Sequence, residues 1–356
     1  MHATKGTMSS SGPSSRPPTL EHVAQVAGVS RATVSRVVNG VRNVDPDLRE
    51  TVERAIATTG YVPNRAARSL VTRHTGSVAL VVSEPDRHGQ DDPFPGTVFS
   101  DPFFGRVVSG IVGGLRPRGV HPVLMLVDST PARAGLVNHL RQDHVDGVLL
   151  ISIDPDDDLP HLLTDASIPT VLFSRPTRPA QVSYVDVAHR DGAKLAADHL
   201  VARGCQRVAT ISGPLDTPAG HDRLVGFREA MARHGYPFVP SAEGNFTHQG
   251  GERAMERLLA EQPEVDGIFV GNDLMAQGAV AVLREHGRRV PDDIAVIGFD
   301  DSSAARGCRP PLTTVRQPVE DMAAEMTRLL LAHIEDPDRR ITSVIFEPTL
   351  VVRESA

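Results

Sequence analysis

The sequence predicts an α/β protein: a small all-α helix-turn-helix head joined to a bilobed core of two doubly wound parallel sheets. Three observations carry this. Between residues 19 and 60, three short helical patterns follow one another, each opened by a capping residue. Beyond residue 76, apolar β-rich runs alternate with segments of helical length, a pattern that calls for parallel strands covered by helices on both faces. The 356 residues are too many for one typical domain but accommodate a head and two lobes.

Taken in order, residues 1–18 are rich in Ser, Pro and Gly and are expected to be disordered, with Met8 an alternative start. Thr19 can cap a first helix whose apolar side is Val23, Ala24 and Ala27. Gly28-Val29 makes the turn, and Ser30 caps a second helix that stops at Asn39-Gly40. On that helix Val34, Val37 and Val38 share one side, while Arg31, Ala32, Ser35 and Arg36 share the other. Two guanidiniums beside two small side chains fit a major groove, where an arginine can donate twice to a guanine edge. Asp45-Pro46 opens a third helix, with Leu48, Val52, Ala55 and Ile56 expected inward.

In the core, strands are expected at 77–82, 122–126, 147–151, 170–173, 207–211, 267–270 and 294–298. Helices are expected at 104–115, 190–203, 222–234, 250–261 and 274–285. The polar stretch 84–101 reads as a loop at the cleft rim.

Charge is unevenly placed. Nine arginines face five acids between Arg16 and Thr75, a net of +4; Lys5 is the only charge before them. The total is −7, so residues 76–356 carry −12. A basic head on an acidic body concentrates attraction for phosphates at one end. Cys205 and Cys308 are the only cysteines and lack metal-ligand spacing; two reduced thiols in a cytoplasmic protein are expected. No apolar run approaches a membrane span, and no secretory segment opens the chain.

Catalytic classes find no support. The chain has no G-x-S-x-G elbow, phosphate loop or dinucleotide fingerprint. The acidic run Asp154, Asp156, Asp157 and Asp158 lacks the glycine and glutamate of a calcium loop and reads as an exposed turn between Pro155 and Pro160. Fifteen scattered histidines show no H-E-x-x-H spacing. No enzyme activity, cofactor or metal is expected.

The segment YVPNRAARSL, residues 61–70, together with the head, GNDLMAQGAVAVLREHGRRVPDDIAVIGFDD and PPLTTVRQP, resembles the lactose-repressor/purine-repressor (LacI) family of bacterial transcription regulators. The likeness runs from Thr19 to about Arg353. It implies a core like that of periplasmic sugar-binding proteins, with ligand between lobes at the carboxyl ends of strands. It also implies chain crossings near 187, 317 and 346. The implied divisions are a tail at 1–18, a head at 19–62 and a hinge helix with linker at 63–75. An N-terminal lobe at 76–186 plus 317–345 and a C-terminal lobe at 187–316 plus 346–356 complete them.

By the same resemblance Arg31, Ala32 and Arg36 read bases. Thr19, Ser30, Thr33, Asn39 and Asn64 hold phosphates and fix register. Ala66, Ala67 and Leu70 belong to a hinge helix that pairs with its dimer mate in the minor groove. The two alanines allow close approach, and Leu70 is either a wedge between base pairs or a core leucine. Arg65 and Arg68 lie beside them. Two heads imply a homodimer on a palindromic, bent operator.

The effector pocket implied by the resemblance takes Arg223, Asn272 and Asp300, with Arg175, Gln317 and the rings of Phe103, Phe104 and Phe246. A guanidinium, an amide and a carboxylate together supply the donors and acceptors a polyol needs. Phe103 and Phe104 fit a core equally well, Arg223 and Asp300 fit a structural ion pair, and Arg175 fits a solvated loop. Ala188-His189 stands where the family usually carries Asp-Asn. The function implied is a cytoplasmic repressor of sugar-utilisation genes released by a small saccharide. A regulator needing a purine-like co-repressor and a soluble sugar-binding protein are the alternatives.

Overall fold

Three short helices, α1 (Leu20–Ala27), α2 (Arg31–Val38) and α3 (Pro46–Thr59), build the head. The computed structural model describes residues 18–39, 43–62, 74–84, 100–142, 145–152 and 156–356. Residues 1–75 and 76–356 form two separate units. The expected hinge residues Asn64, Ala66, Ala67 and Leu70 lie outside the described residues.

Capping chemistry sets the head's turns. The Thr19 hydroxyl accepts from the His22 N–H at 3.3 Å, and Gly28, at φ 67°, closes α1 in the left-handed region. Ser30 accepts from the Thr33 N–H at 3.1 Å, and Asp45 accepts from Asp47 and Leu48 ahead of Pro46. Val23, Ala24, Val34, Val37, Val52, Ala55 and Tyr61 fill the small core, with Ala27, Val38 and Ile56 packed against it. Leu48 departs from expectation and is 42% exposed. It sits in the opening turn of α3, one turn before Val52, the first α3 residue to reach that core.

The larger unit alternates strand and helix. It contains β1 (Ser77–Ser83), α4 (Pro102–Leu115), β2 (His121–Val127), α5 (Thr130–Leu140), β3 (Val148–Ser152), α6 (Leu159–Asp165), β4 (Thr170–Phe173) and β5 (Ser183–Val187). Next come α7 (His189–Ala202), β6 (Val208–Ser212), α8 (Pro218–Arg233), β7 (Ser241–Glu243), α9 (His248–Glu261), β8 (Gly267–Val270) and α10 (Asp273–Glu285). The chain finishes with β9 (Ala295–Asp300), α11 (Ser303–Gly307), β10 (Thr313–Arg316), α12 (Val319–Glu335), β11 (Ser343–Phe346) and β12 (Thr349–Val351).

These strands form two six-stranded sheets, ordered β11-β5-β4-β3-β1-β2 and β12-β10-β9-β8-β6-β7. Every pairing is parallel except β10 with β12. The fold class is the one the sequence predicts. β5, α5, α6, α11, β7, β10, α12, β11 and β12 are elements that the periodicity reading does not supply. The acidic run also departs from expectation: Asp157 and Pro160 are buried, and Asp157 lies 3.1 Å from the buried Arg133.

Both faces of each sheet are covered, and β1 shows how. Val78, Leu80 and Val82 pack with α4 and α12, while Ala79 and Val81 pack with α5 and α6. Contact between α4 and α12 depends on Gly110, where an added Cβ would lie 2.6 Å from the Glu320 carbonyl oxygen. In the second lobe α9 and α10 cover one face and α7 and α8 the other. Phe227, Phe269 and Phe299 are fully buried there, each contributing roughly 1.5–3 kcal/mol through removal from water. The chain passes between sheets after β5, after β10 and after β11. Such repeated crossing places the carboxyl ends of both sets of strands at one junction.

Candidate functional site

The exposed face of α2 follows from its valines. Val34 and Val37 are buried, so Arg31, Ala32 and Arg36 are turned to solvent. Arg31 Nε sits 3.0 Å from Glu21 Oε1, with both side chains well exposed. Such a pair is weak and readily exchanged for another partner. Thr19, Ser30, Thr33 and Asn39 are engaged in local bonds: Ser30 Oγ and Thr33 Oγ1 are 2.9 Å apart, and Asn39 Nδ2 donates to Ser35 Oγ at 3.3 Å. All four lie at helix ends.

At the lobe junction the polar groups converge. Arg223, in the first half of α8, is buried. Its Nη1 donates to the Gly271 carbonyl at 2.6 Å and lies 3.6 Å from Asp300 Oδ1. The guanidinium carbon stands 3.8 Å from the Phe299 ring centroid and 5.9 Å from that of Phe246. Asp300 ends β9 at φ 112°, a conformation that favours glycine, and Gln317 Nε2 donates to its Oδ1 at 2.5 Å. Asn272 caps α10 by accepting from the Met275 N–H at 2.9 Å, while its Nδ2 donates to the Phe246 carbonyl at 2.9 Å. Phe246 is held at φ 64° with its ring over Gly213, where an added Cβ would come within 2.1 Å of Cζ. Arg223, Asn272, Asp300, Gln317 and Phe246 therefore occupy one region.

The first lobe contributes differently from expectation. Phe104 is 7% exposed within the hydrophobic core, and Phe103 packs edge-on against Phe104 and Phe173, with ring centroids 5.4 and 5.3 Å away. Arg175 does not stand free in solvent: its Nη2 donates to Asp222 Oδ2 of the second lobe at 2.7 Å. Arg190 donates to the other oxygen at 3.2 Å. Burial pushes the Asp222 carboxyl up, but Arg175 and Arg190 outweigh it and hold the group below its ordinary value. Arg106 crosses the junction too. It grips both Glu320 oxygens at 2.7 Å and donates to the carbonyls of Asp300 at 2.7 Å and Gln317 at 3.1 Å. Beside it a cavity of about 580 Å³ opens, lined by Pro102, Arg106, Asp301, Arg306 and Arg316 among others.

Four polar groups escape sequence reasoning. Asp101 caps α4 through the Phe103 N–H at 2.9 Å; burial, with Asp300 and Glu84 adding repulsion, raises its carboxyl to about 7. His189 opens α7, buried beside Arg223, and burial pushes its ring below the ordinary imidazole value. Asp186 and Asp222 complete the set. Asp101-Pro102 is a legible helix start, and His189 is visible only as a departure from the family pattern. Burial of the Arg223 guanidinium and the Asp300 carboxyl moves each toward its neutral form, and their proximity opposes this.

Comparison with known proteins fits this geometry. Residues 19–64 match the bacterial regulatory proteins of the lacI family, and residues 197–356 match the periplasmic binding protein-like domain. The HTH-type transcriptional regulator CelR of Thermobifida fusca is 45% identical over 96% of this chain and 98% of its own length. The ribose operon repressor of Escherichia coli K12 is 32% identical over 95% and 99%, respectively. Among solved structures, a CelR–cellobiose complex matches with a TM-score of 0.74 and 43% identity, covering 95% of this chain and all of that one. A lac repressor dimer bound to operator and an anti-inducer matches with a TM-score of 0.80 and 28% identity, covering 96% and 99%. With a helix-turn-helix head, a two-sheet core and relatives matched end to end, the chain belongs to the lacI family of bacterial regulatory proteins.

Proposed function

We propose that this regulator is a cytoplasmic, dimeric repressor of sugar-utilisation genes, released from its operator by a β-linked glucose disaccharide of the cellobiose class. The observation that carries the sugar is the buried cluster of Arg223, Asn272, Asp300 and Gln317 beside the Phe246 ring, at the carboxyl ends of β6, β8, β9 and β10. Sugar hydroxyls both donate and accept, and this set offers both capacities next to an apolar ring. The 45% identity to CelR, and the CelR–cellobiose complex among its structural relatives, favour that disaccharide.

Arg31, Ala32 and Arg36 read the operator half-site, and Thr19, Ser30, Thr33, Asn39 and Asn64 fix the head on phosphates. Residues 63–75 form the hinge, with Ala66 and Ala67 against the partner's hinge and Leu70 in the minor groove. A saccharide that binds one lobe arrangement better than the other shifts the hinges and frees the heads; equal affinity for both would shift nothing. Arg175 then leaves Asp222 for a sugar hydroxyl, while Arg190 keeps the carboxylate paired.

Fluorescence anisotropy of a labelled palindromic operator, titrated with cellobiose, tests the reading. Release at micromolar to millimolar sugar is expected. Tighter binding would make the sugar a co-repressor, and no change with any cello-oligosaccharide would refute the effector class.

A further inference from the structure

The departure at residue 189 creates a connection absent from the roles described so far. Its ring is buried, with both nitrogens engaged. Nδ1 accepts from Arg223 Nε at 3.3 Å, so Nε2 carries the proton and points at Asp186 Oδ1, also 3.3 Å away. Asp186 is the penultimate residue of β5 in the first lobe; its Oδ2 accepts from the Arg175 backbone N–H at 3.2 Å and its Oδ1 from the Val187 N–H at 2.9 Å. The Arg175 side chain returns to Asp222, the residue preceding Arg223 on α8. A closed circuit therefore runs Arg223, His189, Asp186, Arg175, Asp222, crossing between the lobes twice.

We propose that His189 is a positioning residue for the effector response: its two ring nitrogens fix the Arg223 guanidinium of the second lobe against Asp186 of the first. The proposal rests on the reading of Arg223 as an effector contact. Only a neutral imidazole serves, because Nδ1 must accept while Nε2 donates. Burial and the neighbouring Arg223 charge keep it neutral against the pull of Asp186 and Asp222. The Phe299 ring, 6.0 Å from the His189 ring between centroids, also packs beneath Arg223, so the guanidinium has a flat support, with His189 as the acceptor for its Nε and the Gly271 carbonyl for its Nη1. A sugar that draws on Arg223 pulls on the Asp186 junction through a chain of directed bonds. Packing alone would transmit the displacement with less directionality.

The test compares the full-length wild type with His189→Leu, which removes both bonds at similar volume, and His189→Gln, which retains an acceptor and a donor. Without effector, the Arg223 Nε–H resonance of isotope-labelled protein should be protected from solvent exchange in the wild type and His189→Gln, and exchange at least about tenfold faster in His189→Leu. With cellobiose as probe, His189→Leu should need roughly tenfold more sugar for half-release of operator and His189→Gln about threefold or less, at equal operator affinity without sugar. Asp186→Ala, which frees Nε2 but leaves Nδ1 to accept from Arg223, should mimic the weakened sugar response of His189→Leu and serves for that readout if the leucine variant does not fold. Unchanged exchange protection and sugar response in His189→Leu overturns the proposal, as does an unchanged sugar response in Asp186→Ala or an equal loss in His189→Gln and His189→Leu. A wild type indifferent to cellobiose defeats the effector reading alone, because the exchange measurement still decides what His189 holds.

Discussion

Arg175 and Asp222 come from different lobes and meet at 2.7 Å, although neither their spacing nor their neighbours in sequence indicates a pair. The arginine is 49% exposed and the aspartate 10%, so one partner can leave while the other stays desolvated. Because Arg190 also holds Asp222, departure of Arg175 does not strand a buried charge.

Arg175→Ala should therefore change stability little, by roughly 1 kcal/mol or less, since solvent screens the exposed partner. Thermal unfolding at low and high salt measures this. A loss well above that figure would mean the pair is a structural clasp and no ligand could afford to displace it.

Base reading is tested on the head. Arg31→Ala and Arg36→Ala should each lose about 1–3 kcal/mol on the cognate operator and leave non-specific binding intact. Equal losses on unrelated duplexes, measured at one salt concentration, would make these residues phosphate clamps.

Leu70→Ala should reduce operator bending and weaken specific binding, with sugar affinity intact. Gel phasing reads the bend angle. An unchanged angle removes the wedge.

Asp101 makes stability depend on pH. Its folded value, raised to about 7, exceeds the ordinary carboxyl value of 3.8, so the folded state binds the extra proton between them. Its contribution is complete near pH 4 and is lost as pH rises through about 7. Asp101→Asn keeps the helix cap and should flatten this part of the stability profile in denaturant titrations at pH 5, 6, 7 and 8. A variant with the same slope as the wild type would show that Asp101 is ionised when folded.

What the sequence discloses follows the range of the forces involved. The head is legible because Thr19, Ser30 and Asp45-Pro46 announce its helices within three residues of the bonds they make. Leu48 misleads because helical spacing gives its face but not where the core ends. β1, β3, β4, β6, β8 and β9 read clearly as apolar runs, whereas β7, β11 and β12 have three or four residues and are partly exposed, leaving little periodicity. α12 carries Val319, Met322, Ala323, Met326, Leu329 and Leu330 at helical spacing and is legible in retrospect. In the site, Arg223, Asn272 and Asp300 stand out through motif likeness. Asp186, His189 and Asp222 gain meaning only when α7 and α8 pack together and the two lobes meet.

The central claim is that Arg223 belongs to a saccharide site whose occupancy releases operator DNA. Its most direct measurement is operator release by cellobiose in wild type and Arg223→Ala, at one protein concentration and one ionic strength. The account predicts that the wild type lets go. The variant should bind operator as tightly and stay bound, having lost about 1–3 kcal/mol or more of sugar affinity through an unpaired polar group. An Arg223→Ala protein that releases operator at wild-type sugar concentrations would contradict it.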